Sequence, residues 1–448
     1  MQSFQRVPLM FEAMYGLTLL AALLAVGCSP AGVDDSPGIW AQFRGPDGRG
    51  IAAESKLPHH WTPEEGIRWR TLLPDGISQP IVSTDRIFAA GGKDIEDKTF
   101  SRVVLGLDAA TGDILWETDI LTGPREKLHY KFSSVAMASP ATDGETIFAY
   151  FGPRLAALTR DGEVLWNEAI DPEYWNQSRY GAVSSPVLVE DKVLILRDLE
   201  HGGGASEGLR SWLAAYSQQD GSLIWKTEWT GTCCSYVTPT LAEHEDGTTQ
   251  VLVTSSPSIK SFDLETGAEL WTIDYPSVQV VPSSSLIGDL FIASGAVHDR
   301  LTAGFRLIGS GADTQIEELW SITKAVPEIA SPVVYNGILY QVTEAGVASA
   351  INAETGKPLK RWRLEPGPYR ASMIAGDGKI FAMSARGTVS VWRPEAPFEM
   401  LGTNHLPVDT GPYLAMAAAE DCLLLRSRRA LYCVDGIEVE AAVEAPAM

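Results

Sequence analysis

Two adjacent cysteines, Cys233 and Cys234, stand in the stretch TGTCCSYVTP, and by residue type they are the pair in this 448-residue chain most suited to redox chemistry. The chain holds only 5 cysteines, so a doublet needs a reason. Three readings fit it: half of a redox site, a strained clip through one peptide bond, or two small apolar residues entering a strand. A second pair, Cys422 and Cys433, flanks the stretch LLLRSRRALY. A two-residue turn at Ser427-Arg428 would set these cysteines opposite each other, where a non-hydrogen-bonded strand pair permits a bridge. Two reduced, buried thiols are the alternative. Other chemistry is poorly served. His59-His60 has no Cys or carboxylate at metal-ligand spacing. Asp47-Gly48-Arg49-Gly50 neither follows a strand nor opens a helix, as a phosphate loop must.

The fifth cysteine, Cys28, ends an apolar run from Leu17 to Val26. That run is too short to anchor in a bilayer and reads as a signal-peptide core, with residues 1–27 removed on export. Ala25-Val26-Gly27-Cys28 resembles the lipobox of bacterial lipoproteins, which implies a lipid on Cys28 and a linker over 28–39. Ser29 beside it implies an outer-membrane address. An ordinary secretory signal cut near a cysteine is the alternative. An exported chain meets oxidising conditions, so both cysteine pairs have the opportunity to bridge. The formal net charge of −22 and an isoelectric point near 4.7 exclude a nucleic-acid binder, which needs a basic footprint.

The elements that position these residues are legible as repeats. A Trp after a turn recurs as IRW69, TGDILW116, DGEVLW166, DGSLIW225, TGAELW271, EELW320 and LKRW362, at gaps of 47, 50, 59, 46, 49 and 42 residues. Between them runs a second signal: small residues, a tight Asp/Gly turn, then an apolar strand, as in ASPATDGETIF and ASPVVYNGILY. It occurs eight times, the seventh copy (Ala371–Leu401) being degenerate. Four short strands per repeat of about 45 residues is the pattern of a propeller blade. The expected fold is therefore all-β, an eight-bladed propeller of four-stranded antiparallel blades over residues 40–436, with seven blades as the fallback. The last repeat lacks a Trp strand, and Ile67-Arg68-Trp69-Arg70 supplies one. Residues 67–72 are thus expected to complete the last blade and close the ring, removing an open sheet edge. The Trp residues are expected to pack between blades rather than to react. Residues 437–448 form an acidic tail expected to be disordered.

The repeat DAATGDILW resembles the tryptophan-docking repeat of the quinoprotein, or PQQ-like, β-propellers, and WAQFRGPDGRG resembles the N-terminal segment of their exported members. The resemblance covers roughly residues 40–436. It implies the fold and leaves two functions open, because the family includes pyrroloquinoline-quinone dehydrogenases and a cofactor-free lipoprotein of the outer-membrane β-barrel assembly machinery. In the dehydrogenases a vicinal disulfide faces the quinone, a Trp stacks on its other side, and Ca²⁺ sits alongside. Cys233, Cys234 and Trp175 would take the first two roles here. Ser235 stands where those enzymes place an acidic residue, and no carboxylate/Asn set shows Ca²⁺ spacing.

Turns such as STD and YNG put short connections on one face, while blade-to-blade segments and second-to-third-strand loops are long and share the other face. Long loops on a rigid scaffold are where binding sits. That face collects Arg125, His129, Lys131, Tyr180, Tyr236, Tyr369, Arg370 and Tyr413, types enriched at protein interfaces. The expected function is a monomeric, lipid-anchored envelope scaffold without a cofactor, docking an envelope protein or peptide there. A PQQ- and Ca²⁺-dependent oxidation of alcohols or sugars is the alternative.

Overall fold

The computed structural model describes residues 39–52, 55–95, 99–124, 128, 133–172, 180–198, 211–230, 235–295, 297–407 and 411–437. Eight sheets, each with four antiparallel strands, form the blades of a ring. Among the described residues the helical content is one 3-10 turn, Gly311–Asp313.

Blade 2 shows how the repeat folds. Its inner strand is the small pair Ala141–Thr142. The turn follows because Asp143 accepts the N–H groups of Glu145 (2.9 Å) and Thr146 (2.7 Å), while Gly144 takes a φ of 106°. The apolar Thr146–Tyr150 and Arg154–Thr159 come next and are buried almost throughout, since neighbouring blades cover both their faces. The outer strand Val164–Ala169 is largely exposed and buries Trp166.

The seventh repeat is a complete blade: Ile374–Gly376, Lys379–Met383, Thr388–Trp392 and Met400–His405. It gains a fifth strand, Ile51–Ala52, running parallel to its inner strand. The ring therefore has eight blades rather than seven. In the eighth, Ile67–Leu72 pairs antiparallel with Ala430–Val434, the closure expected from the orphan Trp strand.

Tryptophans lock blade to blade. Five dock the indole N–H on a carbonyl of the next blade's last turn: Trp69 on Ala109 (3.1 Å), Trp116 on Arg160 (3.0 Å), Trp166 on Gln218 (3.0 Å), Trp225 on Leu264 (2.8 Å) and Trp320 on Ala353 (2.9 Å). The ring then lies over the turn glycine, at Gly112, Gly162, Gly221, Gly267 and Gly356 respectively, where a Cβ would clash with the indole. Trp271 and Trp362 differ because the next turn has neither Thr-Gly nor Asp-Gly. Trp271 bonds Gln250 of its own blade at 3.0 Å, and Trp362 stacks on Phe398.

This contact can be separated from backbone strain. Gly267 and Gly337 have φ values of 70° and 72°, yet a Cβ at Gly267 would lie 2.3 Å from the Trp225 ring and one at Gly337 meets nothing. Gly337→Ala is expected to cost about 1 kcal/mol, the left-handed penalty alone. Gly267→Ala should cost about 2–4 kcal/mol, that penalty plus overpacking. Urea unfolding of both variants checks this, and equal midpoints would contradict the docking role.

The cysteine hairpin departs from the expected register. Cys433 faces Leu424, not Cys422, because the turn residues are Arg428-Arg429. Ser427 fixes that turn by accepting the Ala430 N–H at 3.0 Å. Cys422 and Cys433 are free and buried. The neighbouring Cys422 thiol, and then burial, hold the Cys433 thiol well above its ordinary range.

Candidate functional site

The inner strands build the site in layers. In blades 1 to 7 the strand enters from the long-loop face through a stretch that carries Ser or Thr. Those side chains form a belt around the axis. The backbone N–H of Gln79 donates to the Ser139 hydroxyl (2.9 Å), Ser139 to Ser185 (2.9 Å), Ser185 to Thr238 (3.1 Å), Thr238 to Ser283 (2.9 Å) and Ser283 to Ser331 (3.0 Å). Each hydroxyl thereby satisfies an inner-strand N–H that has no strand partner on that side.

Two residues earlier in each strand, on the same side of the backbone, stand Ile77, Met137, Val183, Tyr236, Val281 and Ile329. All are half-buried, and they line a cavity of about 370 Å³ above the belt. At the equivalent position of blade 7 stands Arg370.

The N-terminal segment crosses the other end. Trp40 exchanges two 3.0 Å backbone bonds with Val82, Thr142 N–H donates to Ala41, and Ala375 N–H donates to Gly50. These partners in blades 1, 2 and 7 lie near their short turns, so the segment lies across the channel at that end. Arg44 is the anchor. Its guanidinium is buried and donates to the carbonyls of Ser283 (3.2 Å), Ser284 (3.1 Å), Arg49 (3.0 Å) and Pro332. Burial pulls its pKa down to about 10, against the opposing charge of Asp47. Gln79 accepts from Trp40 Nε1 (2.9 Å) and from the Arg44 N–H (2.6 Å), and donates to Met416 of blade 8. Phe43, from the same segment, forms part of the funnel lining.

One sector of the mouth is charged. Arg300 pairs with Glu328 at 2.6 Å, Glu328 accepts the Glu344 N–H at 2.7 Å, and Arg370 Nε donates to Glu344 at 2.8 Å. Across blades 3 and 4, Tyr180 and Tyr236 meet edge to face with centroids 5.5 Å apart.

The residues singled out from sequence therefore separate into three groups. Tyr180, Tyr236 and Arg370 converge on the funnel. Tyr369 and Tyr413 do not present a surface. Both are buried, their hydroxyls bond Glu365 (3.0 Å) and Pro407, and their rings cover Gly346 and Gly387. Burial pushes the Tyr369 phenol up to about 12. They are wedges beneath the loops rather than contacts for a partner. Cys28, Arg125, His129, Lys131, Trp175, Cys233 and Cys234 lie outside the described residues. Sequence reasoning missed Glu328 and Glu344, because only basic and aromatic loop residues were collected, and Phe43, because it comes from the N-terminal segment rather than from a loop of that face. The belt had a signal: Ser or Thr directly before Pro in ASP140, SSP186, VTP239 and ASP332.

The residues that the resemblance assigns to a quinone, Cys233, Cys234 and Trp175, lie outside the described residues, and the described funnel lining offers Ca²⁺ two carboxylates. Ca²⁺ takes six to eight oxygen ligands, carboxylates foremost. Both funnel carboxylates, Glu328 and Glu344, are held by arginines.

Comparison with known proteins places this architecture. Outer membrane protein assembly factor BamB of Yersinia pestis is 22% identical over 376 residues, covering 72% of this chain and 87% of that protein. The dehydrogenase subunit of a quinone alcohol dehydrogenase from Gluconobacter oxydans is 29% identical over 124 residues, only 16% of its length. The crystal structure of BamB from Moraxella catarrhalis superposes with a TM-score of 0.54 at 14% identity, over 84% of this chain and all of that one. A family model described as outer membrane protein assembly factor BamB matches residues 53–200 and 171–303, more than half of the chain. Eight blades, the tryptophan docking and this match together show that the chain belongs to the PQQ-like propeller family of that description.

Proposed function

We propose that this protein is a non-enzymatic scaffold of the bacterial cell envelope, which docks a protein or peptide partner on its long-loop face and is held at the membrane by lipid on Cys28. The observation that carries the reading is the funnel at the centre of that face, apolar on its wall and ringed by Tyr180, Tyr236, Arg300 and Arg370. Aromatic and Arg residues around a concave centre are the usual anchors of a protein interface. The relatives named as assembly factors support a role in outer-membrane protein assembly. Pairing of both funnel carboxylates with arginines favours this reading over quinone-dependent oxidation.

Two measurements test it. Tyr236→Ala combined with Arg370→Ala should weaken capture of the envelope partner at least tenfold, the loss of about two interface anchors. The purified protein mixed with pyrroloquinoline quinone and Ca²⁺ should show no alcohol-dependent dye reduction. Turnover that vanishes in a Cys233→Ala, Cys234→Ala variant would replace the scaffold with an oxidoreductase.

A further inference from the structure

The funnel has a composition more specific than a general docking surface. Its wall is a ring of apolar residues, one per blade from blade 1 to blade 6: Ile77, Met137, Val183, Tyr236, Val281 and Ile329. Its floor is the hydroxyl belt. A hydroxyl that accepts an N–H keeps its own proton to donate. Ser185, Thr238, Ser283 and Ser331 each accept one backbone N–H and line the cavity, so the floor offers donors that converge near the axis. A guest reaching the floor must bring an acceptor.

Two further features narrow the guest. The cavity, about 370 Å³, is at the small end of ligand sites, room for a side chain with its flanking backbone rather than a folded segment. The charged sector of the mouth contains two arginines and two glutamates, Arg300 with Glu328 and Arg370 with Glu344, and so asks for no net charge. Arg300 is 47% exposed and Glu344 32%, so both retain capacity to bond the amides and carbonyls of a chain passing over the rim. The Tyr180–Tyr236 pair lines the sector of blades 3 and 4, and aromatic pairs gain from edge-to-face contact beyond area alone.

We propose that the funnel is a socket for one uncharged aromatic side chain of the partner polypeptide, a ring with a hydrogen-bond acceptor at its tip, of which tyrosine is the natural example. The proposal rests on the reading that a protein docks on this face. It adds what that protein inserts.

The test titrates the full-length protein with N-acetyl-tyrosinamide, N-acetyl-phenylalaninamide and N-acetyl-leucinamide, followed by NMR shifts. The tyrosine probe should bind about tenfold more tightly than the leucine probe, with phenylalanine between them, reflecting a ring contact and a hydrogen bond. Val281→Trp and Ile329→Trp fill the funnel from adjacent blades, and whichever retains the wild-type unfolding midpoint should lose the tyrosine probe. Absence of saturable binding to the wild type, equal affinity for the leucine probe, or full binding by a folded filled variant would overturn the socket. Undiminished capture of the envelope partner by a filled variant that no longer binds the probe would also overturn it, while leaving the docking face in place. Specific probe binding by a protein that captures no envelope partner would support the socket chemistry and sink the docking reading.

Discussion

Deleting residues 40–72 is expected to abolish cooperative folding. The segment contributes the outer strand of blade 8, Ile67–Leu72, and the fifth strand of blade 7, Ile51–Ala52. It also buries Trp40, Trp61 and Trp69. Losing a buried Trp typically costs about 3–5 kcal/mol, and a native domain has about 5–15 kcal/mol in total. Three such losses come to about 9–15 kcal/mol, on the order of the whole stability before any hydrogen bond is counted. The deletion further strands the backbone groups of Ala430–Val434 as an open edge and empties the Trp dock at Gly112. Trp69→Ala alone removes one dock and should leave a folded protein about 3–5 kcal/mol less stable. Expression with circular dichroism and thermal melts distinguishes the cases. A soluble deletion variant with an unchanged melting temperature would contradict ring closure.

Replacing Arg44 should have the next largest effect. Its guanidinium ties the N-terminal segment to blades 5 and 6 through buried carbonyls of Ser283, Ser284 and Pro332. The backbone at Arg44 is itself in the left-handed region, φ 67°, a conformation that persists only where surrounding contacts determine it. Arg44→Met keeps most of the side-chain volume and removes every donor. The carbonyls left behind are buried without partners, so the expected loss is about 3–5 kcal/mol. The segment should also loosen, because Trp40 and Phe43 are positioned by the same turn. Urea unfolding gives the energy, and limited proteolysis between residues 40 and 57 gives the loosening. Stability within about 1 kcal/mol of wild type with unchanged protease resistance would show that the segment holds by its backbone pairing alone.

The fold was legible because its determinants are local and repeated. Each Trp, each Thr-Gly or Asp-Gly turn and each small-residue strand announces one position in a blade. Even the closure could be read, since Trp69 matched a register with no partner nearby in sequence. The funnel was less legible. Its wall comes from one residue per blade, roughly a repeat apart, and none of Ile77, Val183 or Ile329 is unusual alone. Tyr369 and Tyr413 misled for the reverse reason: aromatic residues in long loops suggest contacts, but here each ring fills the space above a glycine. WAQFRGPDGRG was recognisable as a segment, while its role was not. A channel plug is defined by partners such as Val82, Ser283 and Ala375, which lie about 40 to 325 residues away. The cysteine hairpin slipped by one turn residue because Ser427 caps from its side chain, which strand periodicity does not reveal.

The docking face is tested most directly by site-specific photo-crosslinking in cells that export the full-length chain. A photoreactive residue at Val297, on the funnel mouth, is compared with one at Asn336, in an exposed short turn on the opposite face. The expected result is a discrete adduct with an envelope protein from Val297 and none from Asn336. Adducts from Asn336 alone, or the same adducts from both positions, would contradict docking on the long-loop face.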